Sequence, residues 1–309
     1  MTDAEFLKDF EKQGISRECW THEAHVRVAW IYLSKYPFEE AMSRIRERIQ
    51  QLNSVIGARV GYHETITRAY LLLVNQARQE AAGASYDEFK AAHAALLERG
   101  LLALDLYYSR EWLMTEEAKG TFIEPDRKRL PLAGTVREAR AADAEALIEI
   151  YRPHIEESSV SFELEVPSAA EMRARIADYS RYGWLVYEIG GKVVGYAYGS
   201  PHRARAAYRW CCEVSAYLAP EAQGHGVGAL LYRILFDRLR AKGLVNAYAG
   251  ITLPNDVSAG FHESLGFKPI GVYEKIGFKF GRWHDVGWWS LRLQEPEGEP
   301  REPRLGLPA

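Results

Sequence analysis

The stretch YRWCCEVSAYLAPEAQGHGVGALLYRILFDRLRAKG, residues 208–243, changes its hydrophobic period halfway along. From about Tyr208 to Leu218 it reads as a strand, and from about Gly226 to Lys242 its apolar residues recur at helical spacing. Leu231, Leu235 and Leu239 mark the buried face of that helix, and Gly243 closes it. The junction is Gln223-Gly224-His225-Gly226-Val227-Gly228. Glycines there let the backbone approach a ligand, and a tight turn feeding a helix leaves several N–H groups unpaired at the positive end of the helix dipole, which suits a pyrophosphate. A glycine-rich turn also serves as a plain connection between strand and helix, so its context decides.

Working outward, the same alternation continues on both sides. Upstream lie a strand at Thr135–Arg140, a helix whose N-cap is Asp143, and a second helix opened after Pro167 by a capping box of Ser168 and Glu171. The run WLVYEIGGKVVGYAYG from Trp184 reads as a hairpin turning at Gly190-Gly191. Downstream come a strand near Ala247–Ile251, a short helix at 257–265 and two more strands. Strands alternating with helices predict an α/β domain over 134–294. Residues 1–120 differ: Val28, Ile31 and Tyr32, or Met42, Ile45 and Ile49, keep helical spacing with no strand-like alternation. Breaks at Pro37, Gly83-Ala84-Ser85 and Gly100 leave five or six helices in a separate all-α domain. The two prolines and basic cluster of Thr121–Gly134 read as an interdomain linker over 121–133, and the proline- and glutamate-rich tail 295–309 has too few apolar groups to offset the entropy of ordering it. No internal repeat is visible.

Composition narrows the function. The chain has 309 residues, 47% hydrophobic and 26% charged, and its net charge of −3 gives no overall attraction to polyphosphate or anionic lipid. Nucleic acid and membrane are not expected partners. The amino-terminal residues lack an apolar core of the secretory kind, and no run approaches the ~18 apolar residues of a membrane span. Cys19, Cys211 and Cys212 form neither a disulfide framework nor a CxxC knuckle, which fits a reducing cytoplasm.

With the strand before it and the helix after it, the glycine turn resembles the acetyl-CoA loop of the GNAT superfamily, whose pattern is Q/R-x-x-G-x-G/A. The runs 208–220, LPNDVSAGFHESLGF at 253–267 and GFKFGRWHDV at 277–286 are similar to the phosphinothricin and methionine-sulfone acetyltransferases. The resemblance covers about half the chain. It implies a mixed seven-stranded sheet, split near its middle strands and flanked by helices, that takes acetyl-CoA as co-substrate and acetylates the amine of a small amino-acid analogue. It also implies a homodimer.

Carried onto this sequence, the resemblance makes Glu213 and His262 catalytic. It gives cofactor binding to Val214, Ala216, Gln223, Gly224, His225, Gly226, Val227, Gly228 and Asn255, and substrate binding to Phe162, Arg203, Arg205 and Tyr208. The residue types support this. An ammonium must lose a proton before it attacks a thioester, and a carboxylate or imidazole takes it directly or through one water. Glu213 stands in an otherwise apolar strand between Cys212 and Val214, where a carboxylate is costly to bury without a partner. Arg203 and Arg205, at alternate positions, can converge on one anion. Asn255 serves equally as a turn former or helix start. Cys211 and Cys212 read as packing residues, and neighbours in the string Trp283-His284-Asp285 point to opposite faces of a strand and form no relay.

The first domain leaves two readings open. His22 and His25 share one helical face and His63, with Glu64, comes from another helix, a metal-like set. Alternatively Thr21 caps the helix and the histidines satisfy local hydrogen bonds. With the domain unassigned, a second class of function stands beside the enzyme: a ligand-sensing or partner-binding protein whose helical domain regulates a GNAT domain acting on a protein amine.

Overall fold

The computed structural model describes residues 1–57, 61–296 and 298–305. It divides into two compact units, Met1–Gly134 and Thr135–Ala309. Among the described residues of the first unit are seven α-helices: α1 (Asp3–Glu11), α2 (His22–Lys35), α3 (Phe38–Val55), α4 (Glu64–Glu80), α5 (Tyr86–Ala92), α6 (Arg110–Leu113) and α7 (Glu116–Gly120). Side-chain caps start most of them, with capping boxes at Thr2/Glu5 and Ser85/Glu88 and single caps from Thr21, Ser109 and Thr115. The count exceeds the expected five or six because α6 and α7 are single turns, too short to show a period and announced only by Ser109 and Thr115. Phe10, Val28, Leu52, Val74 and Phe89 are fully buried in the core these helices share.

Residues 121–134, expected as a linker, instead pack on this unit. Ile123 and Leu130 are buried, and Thr65 donates its hydroxyl to the Thr121 carbonyl while accepting from the Ile123 N–H. Asn75 and Gln79 both donate to the Gly134 carbonyl, at 2.8 and 3.1 Å. The prolines and basic residues dominate the composition, but a few apolar side chains and helix-borne donors anchor the segment.

The second unit is a mixed sheet with helices on both faces. Its elements are β1 (Thr135–Glu138), α8 (Ala144–Glu156), α9 (Ala169–Tyr179), β2 (Trp184–Ile189), β3 (Lys192–Pro201), β4 (Cys211–Leu218), α10 (Val227–Ala241), β5 (Asn246–Leu253), α11 (Asp256–Ser264), β6 (Lys268–Lys279) and β7 (Arg282–Arg292). The seven strands run in the order β1-β2-β3-β4-β5-β7-β6, as the split-sheet expectation requires. Gly190 and Gly191 both take positive φ, +56° and +86°, the pair of left-handed residues a tight hairpin turn needs. Asp143 stands at the head of α8 but makes no side-chain cap, because the Arg137 fork takes its carboxylate at 2.7 and 2.8 Å. The first residues of the expected 208–218 strand are used differently: Ala206–Tyr208 is a 3-10 turn, and β4 begins at Cys211.

Alternation along β4 sorts the two faces. Tyr217 packs edge-on to Tyr151 of α8 at 4.8 Å, whereas a β-carbon added at Gly228 of α10 would lie 3.5 Å from Leu218. Glu213, Ser215 and Tyr217 therefore face α8 and α9, and Cys212, Val214 and Leu218 face α10. The buried row Leu231, Leu235 and Leu239 lies on the sheet side of α10, each fully buried leucine stabilising the fold by about 1.5–3 kcal/mol.

The described part of the tail is tied down. Trp210 donates to the Arg301 carbonyl at 2.7 Å, Arg209 pairs with Glu302, and the Arg304 N–H donates to the Lys242 carbonyl. Residues 297 and 306–309 lie outside the described residues. Among the described residues no helix is long and apolar enough to cross a membrane.

Candidate active site

All strand pairs but one are antiparallel, and the exception makes the site. β4 pairs with β3 from Pro201↔Cys212 to Gly195↔Leu218, but meets β5 in parallel only at Cys211↔Asn246, Cys212↔Ala247 and Glu213↔Tyr248. Past Glu213 the edge of β4 facing β5 pairs with no strand among the described residues, so Val214 and Ala216 border a gap. Beyond β4 the turn is built as its glycines demand. Gly224 and Gly226 sit at φ +79° and +78°, conformations that cost an L side chain about 1–2 kcal/mol. Gly226 is the N-cap of α10 and no side chain caps that end, so the amides of the first turn from Val227 and Gly228 onward stay available to an anion. Gln223 donates to the Leu218 carbonyl at 3.3 Å and pins the turn to the strand. His225 is half-buried within it, and Gly228 is pressed against Phe261, 3.2 Å from where a β-carbon would lie.

Glu213 occupies the last position before the sheet opens. Its Oε1 lies 3.0 Å from Nδ1 of His202, a residue singled out by no sequence argument. The His202 ring stacks on Tyr248 at 4.4 Å and 18°, with Tyr208 and Trp288 edge-on at 6.2 and 5.8 Å. Three strands and the loop after β3 thus gather a carboxylate, an imidazole and three aromatic rings. Tyr208, Arg203 and Arg205 lie on the exposed segment between β3 and β4; the Arg205 carbonyl accepts from the Tyr208 N–H at 3.0 Å, and neither guanidinium bonds to another described residue.

His262 is not part of this group. Its Nδ1 is 2.8 Å from the Ser258 carbonyl and its Nε2 3.3 Å from the Tyr232 hydroxyl, and it is buried among Tyr232, Phe261 and Phe267. Burial pushes its pKa down, with the Ser258 carbonyl opposing. It lies on the α10–α11 side of the sheet while Glu213 faces the other, so the structure does not bring together the two residues expected to be catalytic, and His262 bridges α11 and α10. Asn255 caps α11, its Oδ1 accepting from the Ser258 N–H at 3.1 Å.

Phe162 is placed by a device the sequence did not disclose. Lys279, buried in β6, donates to the carbonyls of Ile155, Ser158 and Ser161 at 2.6, 3.0 and 2.7 Å, and burial lowers its pKa. Arg175 grips Glu163 with both guanidinium nitrogens, at 2.7 and 2.9 Å. Between these clamps Phe162 lies on the bare backbone of Gly277, where a β-carbon would come within 2.2 Å of its ring. Of the string 283–285, His284 bonds the Lys279 carbonyl and Asp285 accepts from the Lys275 N–H, so both shape the hairpin.

The three histidines of the first unit do not converge. His22 bonds the Leu96 carbonyl, His25 the Thr21 carbonyl, and His63 caps α4 while bonding the Leu113 carbonyl. Among the described residues no group of three His, Cys, Asp or Glu is arranged to hold a metal. Desolvation under Trp20 takes the His25 pKa down to about 4, keeping that ring neutral.

Comparison with known proteins agrees with this geometry. Residues 136–288 match the family model described as an acetyltransferase (GNAT) domain. A phosphinothricin N-acetyltransferase of Streptomyces viridochromogenes is 40% identical over 177 residues, covering 56% of this chain and 93% of that protein. An L-methionine sulfoximine/L-methionine sulfone acetyltransferase of Salmonella typhimurium is 34% identical over 166 residues, covering 52% and 95%. Among solved structures, a GNAT superfamily phosphinothricin acetyltransferase from Sinorhizobium meliloti in complex with AcCoA is 36% identical at a TM-score of 0.53, covering 55% of this chain and 95% of that one. With a split mixed sheet, an uncapped glycine turn at the gap and relatives matched over nearly their whole length, the chain belongs to the GNAT acetyltransferase family.

Proposed function

We propose that this protein moves the acetyl group of acetyl-CoA to the α-amine of a small amino acid or analogue of the phosphinothricin, methionine sulfone or methionine sulfoximine kind. The observation that carries the reading is Glu213 at the mouth of the β4–β5 gap, hydrogen-bonded to His202 among three aromatic rings. Acetyl-CoA fits the residues present: the uncapped amides after Gly226 suit its pyrophosphate, and the unpaired edge at Val214 and Ala216 suits an extended amide-bearing arm. The thioester supplies an activated acetyl carbonyl. The chain's own residues then have three tasks. The Glu213–His202 pair draws off the ammonium proton, Arg203 and Arg205 hold the acceptor's anionic group, and Phe162 and Tyr208 wall the pocket. A thiol-release assay with acetyl-CoA over amino-acid analogues and basic peptides tests this. Turnover confined to peptides would favour a protein amine as acceptor instead.

The arginines give a separate expectation. A charge-assisted contact is worth roughly 1.5–3 kcal/mol, so Arg203→Ala or Arg205→Ala should raise KM for an anionic acceptor by about 10- to 100-fold. The affinity for acetyl-CoA should not change. Equal KM values for wild type and both variants, or equal activity on neutral amines, would remove the arginines from the substrate site.

The functional form we propose is a homodimer, paired through β6. That strand is the edge of the sheet and leaves Ile270, Val272, Ile276 and Phe278 more than half exposed. A long apolar edge strand is a ready template for pairing with a second copy. Light scattering should give twice the chain mass for wild type, and Ile276→Glu with Phe278→Glu should give a monomer. A monomeric wild type overturns the pairing. The reading of a reducing compartment such as the cytoplasm is supported by the three free thiols, Cys19, Cys211 and Cys212.

A further inference from the structure

We propose that His202 is the group that takes the ammonium proton, and that Glu213 acts by holding its ring and by stabilising, with its charge, the imidazolium that forms. The inference rests on the acetyltransferase reading and deepens it. An ionised carboxylate only accepts hydrogen bonds, so in the neutral ring the 3.0 Å contact from Glu213 Oε1 requires the hydrogen on Nδ1. That tautomer leaves the lone pair on Nε2, which bonds to no described residue. The ring cannot swing away freely. It stacks on Tyr248 at 4.4 Å, with Tyr208 and Trp288 against its edges. A base held in place by a second group that fixes its tautomer is the arrangement proton abstraction needs. The aromatic faces around it also attract an incoming ammonium.

The step balances without another reactant. An N–H bond of the ammonium breaks and its proton passes to Nε2, making an imidazolium paired with the Glu213 carboxylate. The freed lone pair forms the C–N bond at the acetyl carbonyl carbon. The C–S bond breaks, the departing thiolate takes the second amine proton, and the imidazolium returns its proton to water. One proton is released per acetyl transferred.

The test uses the full chain. His202→Phe keeps a flat ring on Tyr248 but has no nitrogen, and it should lose roughly 10²- to 10⁴-fold in kcat with calorimetric affinity for acetyl-CoA unchanged. Glu213→Gln should lose a similar factor. The double variant should be no slower than the slower single variant by more than a few-fold, because the two residues act as a unit. A second readout needs no turnover. Two-bond proton–nitrogen correlation spectra should show His202 as the Nδ1–H tautomer in wild type, and Glu213→Leu should abolish that preference. Near wild-type kcat in His202→Phe alongside a crippled Glu213→Gln would overturn the inference, since the carboxylate would then take the proton itself. So would an Nε2–H ring in wild type. If wild type acetylates no amino acid at all, the substrate reading fails, and the tautomer spectra still decide the role of His202.

Discussion

Glu213→Gln is expected to lower kcat by roughly 10²- to 10⁴-fold, the usual worth of positioned proton transfer, while leaving acetyl-CoA affinity unchanged. Glutamine keeps the shape and can still accept from Nδ1 of His202, so the stack on Tyr248 and the end of the β4–β5 pairing survive. What disappears is the negative charge that stabilises a proton arriving at the site. Steady-state kinetics with an amino-acid analogue, together with calorimetry on acetyl-CoA, measures both sides. Near wild-type turnover would make the carboxylate a structural partner of His202. His262→Asn should cost much less, because both nitrogens of that ring are engaged, by the Ser258 carbonyl and the Tyr232 hydroxyl. Its effect should appear as a loss of stability.

Gly226→Trp is expected to abolish acetyl-CoA binding in a protein that still folds. Gly226 is left-handed at φ +78° and heads α10, so a large side chain there both strains the turn and stands over the uncapped amides. Gly226→Ala separates the two effects. It adds the strain of one β-carbon, about 1–2 kcal/mol, without covering the amides, so binding should weaken far less than in the tryptophan variant. Calorimetry and far-ultraviolet circular dichroism on the three proteins settle it. Wild-type affinity in a folded Gly226→Trp would remove the turn from the cofactor site.

Part of this site is legible in the sequence because the signals are local. The change of period across 208–243, the paired glycines at 190–191 and 224–226, and the Ser168/Glu171 box each depend on a few neighbouring residues, and each takes the backbone form its chemistry asks for. A carboxylate in an apolar strand is likewise visible without a structure. His202 is not, because its meaning comes from Glu213 on the neighbouring strand and from Tyr248 and Trp288 much further along the chain. His262 is the opposite case. Its place in a family motif is plain, but which face of α11 it occupies depends on Tyr232 and Phe267 closing around it.

Residues 121–134 show the same division at the scale of a segment. Proline and basic residues describe a connecting stretch, yet Ile123, Leu130 and the donors on α4 bind it to the helical unit. The sequence by itself determined the helical first unit, the α/β second unit, the glycine turn and the carboxylate, because period, backbone freedom and residue chemistry act over a few positions. Only the tertiary structure decided where β4 and β5 part, which histidine joins Glu213, and how Lys279 and Arg175 hold Phe162. Those outcomes depend on contacts between residues distant in the chain, whose energies arise only when the sheet and its helices have closed around them.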